Sequence, residues 1–143
     1  MPYQVWIEQN RLNAKYKIRN YHVDSYGHVN NAVYINFLED ARTDFFDYLG
    51  FSLSYLAKNN IFIYITEINI KYLKPGFLDD IIVVTASMIN HTRVRITWLQ
   101  EIFRENEKLV TSNVTCAFMN GMKKPIKIPE FVLNKLEKLT SNE

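Results

Sequence analysis

One cysteine, Cys116, in 143 residues rules out a disulfide within the chain, so the fold must rest on a hydrophobic core. Cys116 lies in a strand-like run beside Ala117 and Phe118 with no histidine at a helpful spacing. It reads as a small buried hydrophobe rather than a nucleophile. Charge of one sign is also lacking. Seventeen basic and fifteen acidic residues are interspersed and leave +2, which gives no support to nucleic-acid binding. No apolar run approaches membrane-spanning length. The opening Met1-Pro2-Tyr3-Gln4-Val5-Trp6-Ile7-Glu8 has no charged leader followed by an apolar core, and the default expectation is a cytoplasmic chain with no membrane partner. Of three histidines, His22 and His28 flank Asp24 without further ligands at metal spacing, so no metal site is expected. No internal repeat or low-complexity tract appears.

Apolar residues are plentiful: 48% of the chain, with nine Tyr and nine Phe. That supplies a core and an elongated apolar cavity, and it excludes disorder for the bulk of the chain. Residues 1–143 fit one domain, since domains run to about 100–200 residues and no linker is visible.

Alternation of Tyr16 and Ile18 with Lys15, Lys17 and Arg19 predicts a first strand over Lys15 to Val23, ending at Asp24. From Asn31 to Gly50 the residues Tyr34, Phe37, Leu38, Ala41, Phe45, Tyr48 and Leu49 recur at three- and four-residue intervals. They predict one long helix, closed by Gly50. A short helix follows over Leu53 to Lys58. Four strands come next, over Ile61 to Tyr72, Ile81 to Ile89, Val94 to Phe103 and Leu109 to Met119. The later ones are joined by separators short enough for an antiparallel meander. Pro129 opens a last amphipathic helix with a frayed Ser-Asn-Glu end. The sum is an α+β domain in which about five strands wrap one long helix. Its unprotected edge favours a homodimer.

Asp24 occupies a turn-type stretch just before the helix, where unpaired amides and the helix dipole favour negative charge on a carboxylate or on a developing oxyanion. Gly27 permits a positive φ there, and Asn30 suits an N-cap. Asp24 in isolation reads first as a turn carboxylate.

The run Asp24-Ser25-Tyr26-Gly27-His28-Val29-Asn30-Asn31-Ala32-Val33-Tyr34, followed by Phe37, Glu39, Ala41-Arg42 and Gly50, resembles the signature of hotdog-fold acyl thioesterases of the 4-hydroxybenzoyl-CoA thioesterase family. Glu67-Ile68-Asn69-Ile70-Lys71-Tyr72-Leu73-Lys74-Pro75-Gly76 with Asp79-Asp80 is similar to that family's following strands. The resemblance implies a curved antiparallel sheet around a central helix and a homodimer or homotetramer with sites at the subunit interface. It also implies hydrolysis of acyl-CoA or acyl carrier protein thioesters without a cofactor. Asp24 matches the catalytic carboxylate, and the backbone N–H at Asn31 matches the donor to the thioester carbonyl. Glu39 is a second candidate, because a related branch uses a helix carboxylate, although Glu39 and Arg42 can also pair along the helix surface.

Gly27, His28 and Tyr34 are candidate substrate contacts, and Arg93 and Arg95, with Lys123 and Lys124, are candidates for phosphate groups on the substrate. Each has an ordinary surface or core role as its alternative. The helix entry is similar to plant and bacterial members acting on fatty acyl chains, and Ser25 stands where members hydrolysing aromatic CoA esters often carry Pro. The expected substrate is therefore a fatty acyl thioester. A non-catalytic acyl-carrier or acyl-CoA binding module is the alternative, and dehydration of 3-hydroxyacyl thioesters ranks third.

Overall fold

The computed structural model describes residues 4–141. Met1 to Tyr3 of the opening segment, and Asn142 and Glu143 of the expected frayed end, lie outside the described residues. The elements in chain order are β1 (Gln4–Glu8), β2 (Arg11–Lys17), a 3-10 turn (Asn20–His22), α1 (Asn31–Leu49), α2 (Leu53–Lys58), β3 (Phe62–Tyr72), β4 (Ile81–His91), β5 (Arg95–Arg104), β6 (Glu107–Met119) and α3 (Glu130–Ser141).

The six strands form one antiparallel sheet in the order β1-β2-β4-β5-β6-β3. The sheet thus has one strand more than the sequence predicts. β1 joins β2 through Gln9 and Asn10, both at positive φ (57° and 58°). Such a pair makes a tight two-residue hairpin turn. The predicted first strand is also displaced. Leu12, Ala14, Tyr16 and Ile18 are buried, as is Asn13, but pairing with β4 stops at Lys17. Ile18 then exchanges backbone bonds with Asp79 and Asp80 instead, and the chain turns before it reaches Asp24. β4, β5 and β6 form the expected meander, while β3 crosses to the far side of β6 and becomes an edge.

α1 lies against one face of this sheet. Asn30 caps its start through a side-chain oxygen that accepts the N–H of Ala32 at 2.9 Å. At its end Gly50 takes φ 95°, and the N–H of Phe51 reaches back to the carbonyl of Phe46 at 3.1 Å. This left-handed stop satisfies helix-end carbonyls. The buried stripe is Tyr34, Phe37, Leu38, Ala41, Phe45, Phe46 and Leu49, each large apolar side chain contributing about 1.5–3 kcal/mol by leaving water. Tyr48 is exposed instead of buried, and Phe46 takes its place because its ring meets Phe51 and Trp98. Those contacts come from α2's connection and from β5, so helical spacing alone does not foresee them.

Three hydrogen bonds fix the helix against the sheet. Buried Gln100 donates to the carbonyl of Leu38 at 3.2 Å and accepts from Arg42 at 2.8 Å, and the Tyr16 hydroxyl donates to Asp44. Within β3 a bulge between Ile65 and Glu67 shifts the register. The apolar phase therefore moves from Ile61, Ile63 and Ile65 to Ile68 and Ile70. Among the described residues no helix is long and apolar enough to cross a membrane.

Candidate active site

Between the 3-10 turn and α1 the chain makes a small hairpin. Val23 bridges Val29, the Asp24 N–H donates to the His28 carbonyl at 2.9 Å, and the Gly27 N–H donates to the Asp24 carbonyl at 3.0 Å. Gly27 takes φ 81°, which a side chain would strain. The hairpin is held from below by the segment after β3. The Val29 N–H donates to the carbonyl of Gly76 at 3.1 Å, and His28 bridges Phe77, with their rings edge to face at 5.1 Å. Arg104 braces that segment through Asp80 (2.7 Å) and the carbonyl of Pro75 (3.1 Å).

Asp24 is exposed. Its Oδ1 accepts the N–H groups of Tyr26 (2.9 Å) and His28 (3.3 Å). The carboxylate is thus held by amides of its own turn, not by helix-end amides as the sequence suggests. The physical reason is that Asn30 already caps the helix, and a five-residue turn offers closer donors. Oδ2 accepts no hydrogen bond among the described residues. The N–H of Asn31 likewise has no acceptor among them, while its carbonyl accepts the Tyr72 hydroxyl at 3.1 Å.

Asp24, His28, Asn31 and Tyr34 line one open cleft of about 440 Å³, together with Tyr72 and Lys74. A carboxylate and a helix N-terminal amide with no acceptor among the described residues therefore line one space. Tyr34 is almost wholly buried, and its hydroxyl accepts the N–H of Gly76 at 2.8 Å; burial pushes its pKa up. Tyr34→Phe is accordingly expected to cost about 1–3 kcal/mol in a urea titration, the penalty of a buried amide left without an acceptor. An unchanged midpoint would assign Tyr34 to substrate contact alone.

Glu39, Arg93 and Arg95 are not in this cleft. Glu39 lies two helical turns beyond Asn31, in a second cavity of about 240 Å³ with Arg42, Phe46, Leu53, Ile63, Ile65, Trp98 and Cys116. Burial lowers the pKa of Arg42 and raises that of Cys116. Arg95 opens β5 and Arg93 lies in the turn just before it, whereas the other end of β5, Arg104, braces the cleft. Nine steps of extended chain span roughly 30 Å. Lys74, which the sequence offers only as part of a turn, is the cation in the cleft, paired with Glu107 at 3.1 Å. Its place beside Pro75-Gly76 in the second half of the family-like pattern is the signal that could have found it. Among the described residues no three His, Cys, Asp or Glu side chains gather as metal ligands.

A six-stranded antiparallel sheet packed on one long helix, with a turn carboxylate at the helix entry, is a hotdog-fold domain. The chain belongs to the thioesterase-like superfamily, whose pattern matches residues 18–136. It is 38% identical over 77 residues to the long-chain acyl-CoA thioesterase FadM of Escherichia coli, covering 54% of this chain and 58% of FadM. To the chloroplastic acyl-acyl carrier protein thioesterase ATL3 of Arabidopsis thaliana it is 28% identical over 121 residues, covering 83% of this chain and 64% of that protein. The chain thus spans about three-fifths of the length of these curated relatives. The solved structure of the probable thioesterase YbaW from Escherichia coli superposes with a TM-score of 0.74 at 29% identity, covering 90% of this chain and 98% of that one.

Proposed function

We propose that the chain hydrolyses fatty acyl thioesters, with residues 1–143 acting as a single domain. The observation that carries this function is the presence in one cleft of the Asp24 carboxylate and the N–H of Asn31 at the start of α1, with Oδ2 and that N–H both unpaired among the described residues. A carbonyl oxygen at that amide would be polarised by the helix end, and an aimed donor is worth about 3–4 kcal/mol in other acyl-transfer enzymes. Asp24 then acts in one of two ways. As nucleophile it bonds to the carbonyl carbon, the C–S bond breaks, the thiolate leaves, and water hydrolyses the mixed anhydride. As general base it takes a proton from the water that attacks. Either route yields acid and thiol.

Gly27 sets the turn, while His28 and Lys74 present polar groups to the thiol-bearing arm of a CoA or carrier-protein ester. Arg93 and Arg95 could reach such an arm only in an assembly that brings a second copy's β5 end to the cleft. A homodimer through β3 fits that demand. β3 is an eleven-residue edge, and Tyr64, Ile65 and Tyr72 are exposed along it, with Leu73 exposed just beyond its end. Such an edge seeks a partner. The second cavity opens along the same edge and is lined mainly by apolar side chains, which suits an aliphatic tail. FadM and ATL3, named for long-chain acyl-CoA and acyl carrier protein esters, support the same substrate class. The function carries with it a cytoplasmic role in fatty acid metabolism.

Specificity constants for a set of aliphatic acyl-CoA and acyl carrier protein esters, measured beside 4-hydroxybenzoyl-CoA, test the substrate. Medium or long aliphatic esters should be preferred by at least about tenfold, since each added buried methylene contributes roughly 0.8 kcal/mol. Preference for the aromatic ester would overturn the fatty acyl assignment.

A further inference from the structure

His22 closes the 3-10 turn two residues before Asp24 and has no role above. Its Nδ1 accepts the N–H of Arg19 at 2.8 Å, which puts the proton of the neutral ring on Nε2. The ring is held against Tyr21 at 4.2 Å and Phe37 of α1 at 4.6 Å. Its carbonyl accepts the N–H of Asn30 at 3.3 Å, the residue that caps α1 and precedes Asn31. One residue therefore ties the strand entering the Asp24 hairpin to the helix end that presents the Asn31 amide.

We propose that His22 is a positioning residue that keeps Asp24 and the Asn31 amide in register, and that it does so only while its ring is neutral. This rests on the acyl thioesterase function above. A proton added to Nδ1 removes the lone pair that accepts the Arg19 N–H and sets two N–H groups against each other, so the turn must open. The charged side chains acting on the ring are Asp40 from α1 and Arg19 from its own turn. Burial, opposed by Asp40 and aided by Arg19, holds the His22 pKa below its ordinary value. Asp40 is itself pushed up by burial and by Glu39. A histidine lowered on folding contributes stability that is complete above the unfolded value, about 6.5, and is lost as pH falls through the folded one. The register of the site is lost in the same window.

His22→Asn is the informative variant, because an amide oxygen can still accept the Arg19 N–H but does not titrate. Thiol release from decanoyl-CoA is measured for both proteins from about pH 8 to about pH 5, with amide NMR spectra over the same range. In the wild type, kcat should fall at least about fivefold through one inflection below about 6.5, with KM within about twofold. The amides of Arg19, Asp24, Asn30 and Asn31 should shift with that inflection. His22→Asn should lose about two- to fivefold at pH 8, yet show no inflection until ordinary carboxylates titrate near about 4.

An acid limb unchanged in His22→Asn, or Asp24 and Asn31 amides that stay still while His22 titrates, would overturn the proposal. If wild-type protein releases no thiol at any pH, the acyl thioesterase function fails. The wild-type spectra then still decide whether His22 governs the turn, whatever the folding of the variant.

Discussion

Asp24→Asn is expected to lower kcat by at least about 100-fold while leaving the fold intact, because the amide is neither an anionic nucleophile nor a base near neutral pH. The structure makes the substitution clean. The hydrogen bonds that hold the turn run from the N–H groups of Tyr26 and His28 to Oδ1, and an asparagine oxygen can accept both. Asp24 is exposed, so no packing is lost, and stability should move by about 1 kcal/mol or less. KM should change little, since Asp24 is only one of the polar groups that line the cleft. Turnover near wild type with a lowered melting temperature would make Asp24 a turn residue. It would also transfer the nucleophile to Glu39, in the neighbouring cavity, or remove it.

Ile65→Glu is expected to split the proposed dimer and to lower activity, both by removing the partner copy and by placing a charge in the second cavity, which Ile65 also lines. Ile65 lies on the edge strand at 41% exposure in the single chain, so a charge there should shift the monomer's stability by only about 0.5 kcal/mol. Against a second β3 the same carboxylate loses water without a partner, which costs several kcal/mol, and every 1.4 kcal/mol is about tenfold in the dissociation constant. Light scattering should show at least twice the chain mass for wild type and a smaller assembly for the variant, whose turnover should collapse. A fully active monomer would contradict a site completed by a partner copy. A variant that stays dimeric would move the interface away from β3.

Much of this fold is legible in the sequence because long periodic segments override local ambiguity. α1 shows itself through Tyr34, Phe37, Leu38, Ala41 and Phe45, and its ends through Asn30 and Gly50. β4, β5 and β6 show themselves through alternation between polar turns. The five-residue β1 is hidden because its turn uses Gln9-Asn10 rather than a glycine pair. The first strand is misplaced because Lys17 to Arg19 keeps alternating after pairing with β4 has stopped; only the backbone bonds of Ile18 to Asp79 and Asp80 reveal the exit. β3's place at the edge depends on a crossover, and no local pattern encodes it.

The candidate site is legible in part. Asp24, Gly27, His28, Asn31 and Tyr34 are near one another in sequence and share one region of the structure. Tyr72 and Lys74 join them from the end of β3, some forty residues on, and Arg104 braces them from β5. Such distant contributions follow from topology and not from spacing. Tyr34 shows the reverse case, since a helix-entry tyrosine that looks available to substrate spends its hydroxyl on the Gly76 amide. The donors that hold Asp24 are likewise not legible from spacing, because a capped helix leaves the adjacent turn to satisfy its own carboxylate.

Thiol release from a long-chain acyl-CoA by the purified wild-type chain, followed in a coupled colour assay with no added metal or nucleotide, tests the central claim most directly. Many equivalents of thiol per chain are predicted, with the rate proportional to protein and abolished in Asp24→Asn. Tight retention of the acyl-CoA with no thiol released would contradict hydrolysis and leave an acyl-binding module on the same fold.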